Sequence, residues 1–586
     1  MTTQTTKRRT YIPTTKRRTY TQTRPTKNLE NNSDKIRIIP LGGVEEIGRN
    51  MTAIEYKNNI VVFDIGLQFP DGETPGIDYI LPNTKYLEDR KHKIKCVVLS
   101  HGHLDHIGGV PYLMERIGNP IIYTTKLTKA MVLKRQEEFP HNQNLHIQEI
   151  TASDKINLDK GFGLKFFDVT HTIPDAIGTI LETPLGNIVY PGDAKIGRDD
   201  KGNPIGLEAY EKLGKEKVLA LLLESTNSEK PGFSIGEDIV QRNLEKLFGE
   251  AKGRIIVGTF ASQIERIVEI VKIAEKLKRK VVIDGFSMKS NLEIANKLGF
   301  FKPKQGTIIS PKEIDKYPDN KILALCTGAQ GEEYAALMRI ANNRHAHIKL
   351  HEGDTVVLSS SIIPGNEKNI QNLKDNLARQ NAKVIHYEVA EIHASGHAYS
   401  EELKLMIKAM NPKFFIPVHG RYFMLKTNAL LAESMGVPKK NIGIAIRNGA
   451  IIEVSKNSIG LSKEKAPANY VMVDGLGVGD VKEVVLRDRQ MLAQDGIFVI
   501  IAVIDTQTGK VKGSPDIISR GFVYLRESQD LLKSARYIIR KIAEETANMH
   551  PVNMTYVKDQ IRERVGKYLF QKTKRRPMVL PVVIEV

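Results

Sequence analysis

The residues with the clearest chemical potential lie in the run His101-Gly102-His103-Leu104-Asp105-His106. On an extended backbone, side chains two positions apart point the same way, so His101 and His103 can bind one metal ion through imidazole nitrogens. Asp105 and His106 lie past a turn and can hold a second ion, for which the carboxylate suits a borderline or harder cation. Two ions at roughly 3.5–4 Å can activate water and clamp the attacking and leaving oxygens of a phosphodiester. The motif therefore predicts a two-metal hydrolytic centre.

Single Asp or His residues follow apolar, strand-like runs elsewhere and could complete such a site. There are four of them: Asp64 after residues 60–63, His171 after 166–170, Asp193 after 188–192, and His419 after 414–418. The six-residue motif itself follows the apolar run 96–100 and precedes residues 107–110, which are typical of the start of a helix. Any one of these residues alone is more often an ordinary loop residue. Together they form a constellation at strand ends.

The spacing of these residues implies how the chain is organised. From about residue 36 to 235, short apolar strands alternate with glycine turns and helical stretches, which is typical of α/β layers. His419 is distant in sequence from the other candidates. A site shared by both stretches therefore requires residues 236–397 to be an insertion, and this segment has its own alternation of helix and strand.

The last part of the chain is predicted to form a separate small unit. A polar linker at 451–465 precedes residues 466–586, where apolar residues follow helical spacing and strand-like runs occur nearby. The predicted helices cover 531–543 and 557–569, and the predicted strands cover 497–504 and 578–584. No catalytic residue is evident in this unit, so oligomerisation or nucleic-acid contact is its expected use.

Composition favours a multidomain protein with a polyanionic partner. At 586 residues, two to four domains are expected, and 41% hydrophobic with 26% charged residues is ordinary for a globular chain. Lys plus Arg exceeds Asp plus Glu by 86 − 68 = 18, which fits nucleic acid, with an anionic membrane as the alternative. No apolar run reaches the roughly 18 residues of a membrane span. The N-terminus does not resemble a secretory signal, and Cys96 and Cys326 are not in a paired spacing, so the cytoplasm is expected.

Several longer blocks resemble the ribonuclease J family, in the β-CASP branch of the metallo-β-lactamase superfamily. Asp64, the 101–106 motif, His171 and Asp193 are similar to the successive ligand motifs of that superfamily. The blocks that narrow the resemblance to ribonuclease J are 41–50 (LGGVEEIGRN), 259–262 (TFAS), 359–367 (SSSIIPGNE), 393–397 (HASGH) and 416–420 (IPVHG). The likeness extends from about residue 36 to the C-terminus.

The resemblance implies a metallo-β-lactamase αββα sandwich with an inserted β-CASP α/β domain and a small C-terminal α+β domain. Together with the composition, it gives these divisions: a disordered basic arm at 1–35, which lies before the likeness begins, lactamase residues 36–235 and 398–450, β-CASP residues 236–397, a linker at 451–465, and a C-terminal domain at 466–586. Two divalent ions are implied, Zn²⁺ with Mn²⁺ as the alternative. Their ligands would be His101, His103 and His171 for one ion, Asp105, His106 and His419 for the other, and Asp193 between them. Asp64 would orient a ligand histidine.

The resemblance also implies how RNA is bound and cut. Hydroxyls and glycine-flanked loops can donate hydrogen bonds to a phosphate, although an ordinary serine-rich turn is the alternative. The RNA 5′ end would contact Ser262, Gln263, Ile264, Ser361, His393, Ala394, Ser395, Gly396 and His397. The catalytic residues would be Asp105, Glu224 and His397. Activated water would attack phosphorus in line, and His397, tuned by Glu224, would protonate the leaving 3′ oxygen.

The activity implied by the resemblance combines a 5′-to-3′ exonuclease with an endonuclease, acting in mRNA decay and in maturation of rRNA and other RNA. The enzyme would prefer 5′-monophosphate RNA, would assemble as a homodimer or homotetramer, and could associate with an RNA helicase or the ribosome, but not with a membrane. The alternatives are a thioesterase or lactamase-type hydrolase, a DNA-processing β-CASP nuclease, and an RNA-binding scaffold without catalysis.

Residues 1–35 contain a basic nine-residue repeat, in which 5–11 recurs as 14–20. With almost no aliphatic side chains, this arm cannot bury enough surface to offset chain entropy, so we expect it to be disordered. Lys, Arg, Tyr11 and Tyr20 could add salt-dependent RNA affinity, or the arm could be a solvated tail.

The chain departs from the family pattern at four positions: Glu45 replaces a usual glycine, Glu224 a common aspartate, Gln263 a usual asparagine and Arg421 a common glutamate.

Two other motifs are interpreted as structural and not as functional. The glycine-rich run 475–479 is predicted to be a turn, because it lacks the remaining features of a dinucleotide motif. The histidines His345, His347 and His351 are predicted to lie on a solvated or RNA-facing strand.

Overall fold

The computed structural model describes residues 34–586, apart from 71–73, 199–201, 364, 446, 476, 480–482, 506, 509 and 547–552. The basic arm predicted at 1–35 therefore lies outside the described residues except for Asp34 and Lys35. No helix in the described ranges is both long enough and apolar enough to cross a bilayer. Cys96 and Cys326 are both free and buried.

The first part of the chain forms most of two facing sheets and their flanking helices. Its strands are β1 (Ile36–Gly42), β2 (Met51–Tyr56), β3 (Asn59–Phe63), β4 (Tyr79–Leu81), β5 (Ile94–Val98), β6 (Ile122–Thr124), β7 (Ile147–Glu149), β8 (Lys155–Asp159), β9 (Phe162–Asp168), β10 (Ile177–Glu182), β11 (Asn187–Tyr190), β12 (Gly197–Arg198), β13 (Pro204–Ile205) and β14 (Val218–Glu224). Its helices are α1 (Lys85–Glu88), α2 (Leu104–Ile107), α3 (Val110–Leu113), α4 (Lys126–Gln136) and α5 (Leu207–Lys215).

The inserted segment alternates helices and strands. Its elements are α6 (Glu237–Glu250), β15 (Ile255–Gly258), α7 (Ile264–Lys276), β16 (Lys280–Asp284), α8 (Phe286–Lys297), β17 (Ile308–Ile309), β18 (Ile322–Cys326), α9 (Ala336–Ala341), β19 (Thr355–Leu358), α10 (Glu367–Arg379), β20 (Lys383–His386) and α11 (Tyr387–Ala390). The six strands form one sheet in the order β17-β16-β18-β15-β19-β20, with every neighbouring pair parallel. An all-parallel sheet with helices between its strands is the architecture that a self-contained α/β insertion requires.

After the insertion the chain returns to the two facing sheets and then forms the C-terminal unit. The returning elements are α12 (Ser400–Met410), β21 (Phe414–Val418), α13 (Tyr422–Ser434), β22 (Ala450–Val454) and β23 (Ile459–Lys465). The C-terminal elements are β24 (Val471–Asp474), β25 (Gly477–Val478), α14 (Glu483–Asp495), β26 (Ile497–Ile504), β27 (Val511–Arg520), α15 (Gln529–Thr546), α16 (Met554–Thr573) and β28 (Met578–Glu585).

The two facing sheets form the predicted αββα sandwich. The first has the order β23-β22-β1-β2-β3-β5-β6-β7, and the second has the order β21-β14-β11-β10-β9-β8. Alternate residues of a strand face opposite layers, which explains the continuous apolar runs. In β14, Ala220 and Leu222 pack in the core between the sheets, whereas Leu221 and Leu223 pack under α5 and α12 on the outer face.

The polar linker expected at 451–465 is instead a hairpin of the first sheet. Strand β22 pairs with β1 from Ile36 opposite Val454, and β23 pairs with β22. Ile451, Ile452 and Val454 are fully buried, although the polar, exposed residues of β23 gave the segment a linker-like composition. The strands β22 and β23 at one end of the first sheet therefore come later in the sequence than all strands of the second sheet.

Two smaller expectations can also be compared with the structure. The three histidines expected on a solvated strand lie in the loop after α9, so the strand is wrong. His347 and His351 are exposed as expected, but His345 is buried with its Nε2 2.8 Å from Asp284 Oδ2. The glycine-rich run 475–479 lies at the β24–β25 hairpin, where Asp474 pairs with Gly477, and Leu476 lies outside the described residues. The turn prediction is therefore confirmed at Gly475 and at the bend at Gly479, whereas Gly477 and Val478 form the short strand β25.

Candidate active site

The candidate ligands meet because their strands end at the same edge of the sandwich. In the first sheet, parallel β3 and β5 are followed by Asp64 and by the 101–106 motif. In the second sheet, β11, β14 and β21 are parallel, and β9 shares their direction because both β9 and β11 are antiparallel to β10. His171, Asp193, Glu224 and His419 lie at or just beyond the carboxyl ends of these four strands. Residues dispersed over more than 300 positions are thereby gathered in one cleft.

A first group consists of His101, His103 and His171. His103 Nδ1 lies 3.0 Å from His101 Nε2 and 3.1 Å from His171 Nε2, so three ring nitrogens converge on one point. The ring of His171 is fixed from behind, because its Nδ1 donates to the Gly396 carbonyl at 2.8 Å. A neutral ring that carries its hydrogen on Nδ1 directs the Nε2 lone pair to the centre of the group.

The donor chemistry of this group fits a bound cation. Burial, reinforced by the neighbouring imidazoles, holds the pKa of His101 and of His171 well below its usual value. Burial likewise lowers the pKa of His103 to about 4. The three rings are therefore neutral near pH 7, the state in which imidazole binds a metal. Three neutral imidazoles are a donor set typical of Zn²⁺.

A second group consists of Asp105, His106, Asp193 and His419. His106 Nε2 lies 3.2 Å from Asp193 Oδ2 and 3.5 Å from Asp105 Oδ2. His419 Nδ1 lies 2.8 Å from Asp193 Oδ1, and its Nε2 lies 3.6 Å from Asp105 Oδ2. This mixed set of nitrogen and carboxylate oxygen donors could hold a second divalent cation.

Asp193 lies between the two groups. Its Oδ2 is 3.2 Å from His106 Nε2 in the second group and 3.8 Å from His101 Nε2 in the first. Burial alone would raise the pKa of this carboxyl, but His106, His419 and His397 hold the pKa well below its usual range. An ionised carboxylate at this position can contact two cations at once.

Asp64 positions His106 from behind. Its Oδ2 lies 2.8 Å from His106 Nδ1 and also accepts hydrogen bonds from the Ser100 hydroxyl at 3.0 Å and the Tyr190 hydroxyl at 2.8 Å. Its Oδ1 accepts from the Ser100 backbone nitrogen at 2.8 Å. This network fixes the His106 ring so that Nε2 faces the second group, which is a common arrangement around metal-binding histidines.

Two of the site residues occupy the left-handed backbone region. Asp64 has φ 59° and His419 has φ 50°, although only glycine adopts this conformation without cost. Strain of this kind, on the order of 1–3 kcal/mol, persists where surrounding contacts determine the conformation. The His419 carbonyl accepts from the Ser225 backbone nitrogen at 3.1 Å and the Thr226 hydroxyl at 3.2 Å. These contacts hold the turn that directs His419 into the cleft.

Asn50 is a site residue that was not singled out from the sequence. Its side-chain nitrogen lies 3.1 Å from His106 Nε2, 3.2 Å from His419 Nε2 and 3.4 Å from Asp105 Oδ2. Its backbone nitrogen also donates to the Asp105 carbonyl at 2.9 Å. The available signal was its place at the end of the 41–50 block, but a lone asparagine there does not indicate proximity to His419.

His397 and Glu224 form a second type of pair in the cleft. His397 Nδ1 lies 2.6 Å from Glu224 Oε2, while Glu224 Oε1 accepts from the Ala194 backbone nitrogen at 2.9 Å. Burial lowers the pKa of His397, but Glu224 and then Asp193 raise it, with a resulting pKa of about 9. The extra methylene of Glu224, relative to the common aspartate, does not prevent this contact.

The loops predicted to bind the RNA 5′ end come together around Arg266, which is buried in α7. Its Nη1 donates to Gln263 Oε1 at 2.8 Å, and lies 2.7 Å from His393 Nδ1 and 3.3 Å from the Ser359 carbonyl. Its Nη2 donates to the Ala394 carbonyl at 3.2 Å and to Glu237 Oε1 at 2.5 Å. One guanidinium therefore connects the loops before α7, after β19 and before α12.

The serine-containing loops are fixed by other amides. The buried Gln330 donates to the Ser361 carbonyl at 2.7 Å and accepts from the Ile363 backbone nitrogen at 2.8 Å, which holds the loop after β19. The Ser395 hydroxyl accepts from Asn227 Nδ2 at 2.8 Å and from the His397 backbone nitrogen at 3.1 Å. With two hydrogen bonds accepted, the Ser395 hydroxyl hydrogen is available to a ligand.

Not every residue in the predicted 5′-end set has a side chain available to RNA. Ile264 is fully buried in the core of the insertion, and its backbone nitrogen donates to the Ser262 carbonyl at 2.9 Å. Ala394 is fully buried, and the Oε1 of Gln263 is already shared between Arg266 and the Thr259 hydroxyl. These residues shape the loops. Ser262, Ser361, Ser395 and Gly396 are partly exposed, and His393 is at the limit of burial.

The backbone conformation at Glu45 explains why a glycine is usual at this position. Glu45 has φ 62°, in the left-handed region where glycine is free of strain. The strained residue lies in the loop that follows β1, where Val44 and Glu46 each form a bridge with Gly420, next to His419. The loop is thus part of the wall beside the second group.

Comparison with protein families yields four matches, in the order of the domains. They are the metallo-beta-lactamase superfamily over residues 46–223, the ribonuclease J beta-CASP domain over 252–377, the Zn-dependent metallo-hydrolase RNA specificity domain over 383–442, and the ribonuclease J C-terminal domain over 484–586. The expected fold of a metallo-β-lactamase domain with a β-CASP insertion and a C-terminal domain is confirmed.

Curated relatives match over nearly the full chain. The chain is 38% identical to ribonuclease J2 of Bacillus subtilis, over 95% of this chain and 100% of the relative. It is 37% identical to ribonuclease J 1 of Streptococcus pyogenes, over 95% and 99%, and 37% identical to ribonuclease J 2 of Staphylococcus epidermidis, over 95% and 100%. Identity at this level and coverage shows common family membership rather than a shared fold alone.

Proposed function

Since this chain belongs to the ribonuclease J family, we propose that it is a bifunctional ribonuclease that degrades RNA from the 5′ end and also cuts it internally. The family membership makes it a metal-dependent nuclease of the β-CASP class that acts in RNA processing. The proposal adds the two modes of cleavage, a preference for 5′-monophosphate RNA, and roles in mRNA decay and in maturation of rRNA and other RNA. The observation that carries it is the position of Asp193 between the two donor groups, 3.8 Å from His101 Nε2 and 3.2 Å from His106 Nε2, beside loops that carry serine hydroxyls and His393.

In this proposal His101, His103 and His171 would hold one divalent ion, Asp105, His106 and His419 would hold the other, and Asp193 would be available to both. Zn²⁺ is the proposed metal because three imidazoles dominate the first group, and Mn²⁺ is the alternative. When bound, two such ions activate water and neutralise charge on the scissile phosphate. Asp64 keeps His106 oriented throughout, because its carboxylate holds the ring nitrogen that faces away from the cleft.

The protein residues then supply the proton that the leaving group needs. Glu224 holds His397 at Nδ1, so the Nε2 hydrogen of the protonated ring is the one available for transfer. We assign His397 as the acid that protonates the leaving 3′ oxygen and Glu224 as the residue that positions it. Ser395 contributes by accepting the His397 backbone N–H, which fixes the loop that carries the acid.

We propose that Ser262, Ser361, His393, Ser395 and Gly396 surround the 5′-terminal phosphate. A site with donors for one phosphate discriminates against a triphosphate, because the additional charge would meet neighbouring walls without compensation. Of the wider set predicted from the sequence, Gln263, Ile264 and Ala394 are assigned a supporting role, since their side chains are buried or already hydrogen-bonded.

The experiment that tests the function compares three labelled RNAs: one with a 5′ monophosphate, one with a 5′ triphosphate, and one that is circular. The expected result is fast stepwise decay of the monophosphate RNA, slow stepwise decay of the triphosphate RNA, and cutting of the circle. Equal stepwise decay of both linear RNAs would contradict the 5′-end assignment. Faster hydrolysis of a single-stranded DNA of the same sequence would favour a DNA-processing nuclease instead.

The serine hydroxyls provide the matched variants for this assay. Ser361→Ala combined with Ser395→Ala should reduce the difference between monophosphate and triphosphate RNA, because the proposed donors are lost. Ser434→Ala, at an exposed hydroxyl on α13, is the control that should leave the difference unchanged. An undiminished preference in the double variant would mean that other groups distinguish the 5′ end.

We also propose a homodimer or homotetramer, with the C-terminal sheet as the contact surface. One face of this sheet packs against α15 and α16, whereas the other face exposes Ile518, Leu580, Val582 and Ile584 by 38–46% of their surface. A contiguous apolar sheet face of this kind is typical of a protein interface. RNA remains the substrate, and an RNA helicase or the ribosome is proposed as a further partner.

The proposed domain boundaries follow the sequence prediction with one change. The metallo-β-lactamase domain comprises 36–235 and 398–465, because β22 and β23 belong to its first sheet. The β-CASP domain comprises 236–397, and the C-terminal domain comprises 466–586.

A further inference from the structure

A second cavity, of about 520 Å³, lies outside the candidate active site. Its floor is formed by Val44, Glu46 and Arg49, from the loop after β1, and its rim includes Arg447, Lys465 and Tyr470. We call it the Tyr470 pocket. The volume lies within the roughly 300–1,000 Å³ that is typical of small-molecule sites. None of these residues is a proposed metal ligand or part of the 5′-end loops.

The pocket presents an aromatic ring that is rigidly backed by a cation. The guanidinium of Arg49 lies 4.4 Å from the centroid of the Tyr470 ring, while 48% of Tyr470 remains exposed. Arg49 is itself only 1% exposed, and it is held by Glu46 Oε1 at 2.7 Å and by the Leu81 carbonyl at 3.3 Å. The ring is thus supported by a buried guanidinium while about half of the residue is exposed, and a partly exposed aromatic ring is a surface on which a nucleobase can stack.

Cations and an amide surround this platform. The exposed side chains of Arg447 and Lys465 line the cavity, and in the described part of the chain no carboxylate forms an ion pair with either. Asn469 accepts a hydrogen bond from Asn83 Nδ2 at 2.7 Å through Oδ1, so its own Nδ2 can donate to the edge of a base. An aromatic ring, two phosphate-seeking cations and an amide donor are the chemical components of nucleotide recognition.

The acidic residues of the pocket set the charge balance. Glu46 is neutralised by Arg49, and the Asn448 amide also donates to Glu46 Oε1 at 2.7 Å. Glu45 is the exposed acid among the lining residues, and it occupies the strained conformation with φ 62°. Among the described lining residues there are therefore three cations and two carboxylates, and of these carboxylates Glu45 is the one whose charge opposes a phosphate near Arg447 and Lys465.

We propose that the Tyr470 pocket binds one nucleotide, with its base stacked on Tyr470 and its phosphate between Arg447 and Lys465. The same chemistry is offered by a nucleotide within a single-stranded RNA and by a released 5′-mononucleotide. The pocket adjoins the candidate active site, because Val44 and Glu46 contact Gly420 and Arg49 precedes Asn50. The inference rests on the proposed function for its biological use, but its test measures binding without cleavage.

The chain contains no tryptophan, so a Tyr470→Trp variant carries a single fluorescent reporter in the pocket. The variant is titrated with adenosine 5′-monophosphate and, separately, with a 2′-O-methyl oligonucleotide that resists cleavage. Ribose 5-phosphate serves as the ligand without a base. We expect saturable quenching by a ligand that carries a base and none by ribose 5-phosphate. Quenching by the mononucleotide alone identifies a released product as the occupant, and quenching by the oligonucleotide identifies a bound strand.

Control variants separate the pocket from other binding surfaces. Tyr537→Trp, at a tyrosine 67% exposed on α15, should show no saturable quenching by the mononucleotide. With otherwise native Tyr470, mononucleotide affinity measured by equilibrium dialysis should fall about tenfold in Tyr470→Ala, through loss of stacking. Arg447→Glu should also weaken binding, whereas Glu45→Gly should strengthen it by about threefold, because one opposing charge is removed.

The proposal is overturned if neither ligand quenches the fluorescence of the Tyr470→Trp variant and if affinity is the same in the native protein, Tyr470→Ala and Arg447→Glu. That outcome together with normal RNA cleavage would refute the pocket and leave the proposed function intact. Pocket-dependent binding in a protein that does not cleave RNA would support the pocket and contradict the proposed function.

Discussion

At the scale of single residues, the chemistry depends on which ring nitrogen of each histidine faces away from the cleft. Asp64 holds His106 at Nδ1, the Gly396 carbonyl holds His171 at Nδ1, and Glu224 holds His397 at Nδ1. In each case Nε2 is directed to the chemistry. Partners of this kind fix ring orientation and are nearly as important as the ligands themselves.

His397→Ala tests whether this histidine acts on the substrate or holds a metal. We expect the cleavage rate to fall by roughly 10²–10⁴, because the proton donor is lost, while bound metal and RNA affinity stay close to those of the native protein. Rate, metal content by mass spectrometry and RNA affinity by anisotropy are the measurements. Glu224→Gln should give a smaller loss of rate. His103→Ala is the comparison that should lose metal, and an equal loss of metal in His397→Ala would identify His397 as a ligand.

Asn50→Ala tests the residue that was not anticipated from the sequence. The Asn50 side chain contacts the nitrogens of His106 and His419, so its removal should loosen only the second donor group. We expect the affinity for the second ion to fall by about tenfold or more, whereas the ion bound by three histidines remains. Metal titration by calorimetry distinguishes the two sites. Asn59→Ala, which removes an amide bonded to Asp159 outside the cleft, is the control, and unchanged titration curves in Asn50→Ala would exclude the role.

At the scale of elements, helix α7 connects those loops of the insertion that are proposed to bind the RNA 5′ end. Its apolar face packs in the core of the insertion, while Arg266 on the same helix is only 3% exposed and reaches the loops that carry Ser359, His393 and Ala394. The charge of this buried guanidinium is balanced by Glu237 on the neighbouring α6. Since a helix in the core of the insertion holds the guanidinium, the positions of these loops depend on the core of the insertion and not only on the metal-binding groups.

Arg266→Lys should disturb these loops without altering the metal-binding groups. Lysine retains the charge but cannot reproduce the set of hydrogen bonds made by the guanidinium. We expect a smaller difference between 5′-monophosphate and 5′-triphosphate RNA, with cleavage of circular RNA changed much less. The free energy of unfolding should fall by roughly 1–3 kcal/mol, because buried acceptors lose their donor. A reduced preference in Glu237→Gln as well would support the role of the pair, whereas proportional losses on all three RNAs would point to general damage.

At the scale of the whole molecule, two units contribute residues to one cleft, and a third unit has a different role. The sandwich supplies every proposed metal ligand, and the insertion supplies Ser262, Ser361, His393 and Ser395. The C-terminal unit is joined to the sandwich by the pairing of β24 with β4, and it has an apolar sheet face opposite α15 and α16. Its contribution in the proposal is assembly.

Ile584→Glu combined with Val582→Lys tests the proposed contact between copies. Charges on the exposed sheet face should oppose burial of that face, so the mass in solution should decrease toward that of a monomer. Sedimentation velocity measures the mass, and far-ultraviolet circular dichroism verifies that the domain remains folded. Leu430→Lys, at an exposed apolar residue of α13, is the control. An unchanged mass would exclude this sheet face as the interface.

The sequence determined those parts of the protein that are encoded locally. Each candidate ligand follows an apolar run, and these runs form strands at or near the predicted positions: 414–418 and 497–504 agree with β21 and β26 at both ends. A ligand at the end of a buried strand is recognisable because the strand and the polar residue are adjacent in sequence. The two-group arrangement followed from the spacing within residues 101–106 and from the resemblance.

The tertiary structure decided the features that depend on residues distant in the chain. Asn50 faces His419 across 369 positions, and Arg266 reaches His393 across 127. The hairpin of β22 and β23 resembled a linker because one of its strands is polar, and its pairing partner β1 begins more than 400 residues earlier. Local composition indicates how strongly a segment prefers a strand or a helix. It does not indicate which distant strand pairs with that segment, or which distant residues contact a buried guanidinium. For that physical reason the candidate ligands and Asp64 could be proposed from the sequence, whereas the contacts of Asn50 and Arg266 and the Tyr470 pocket emerged only from the fold.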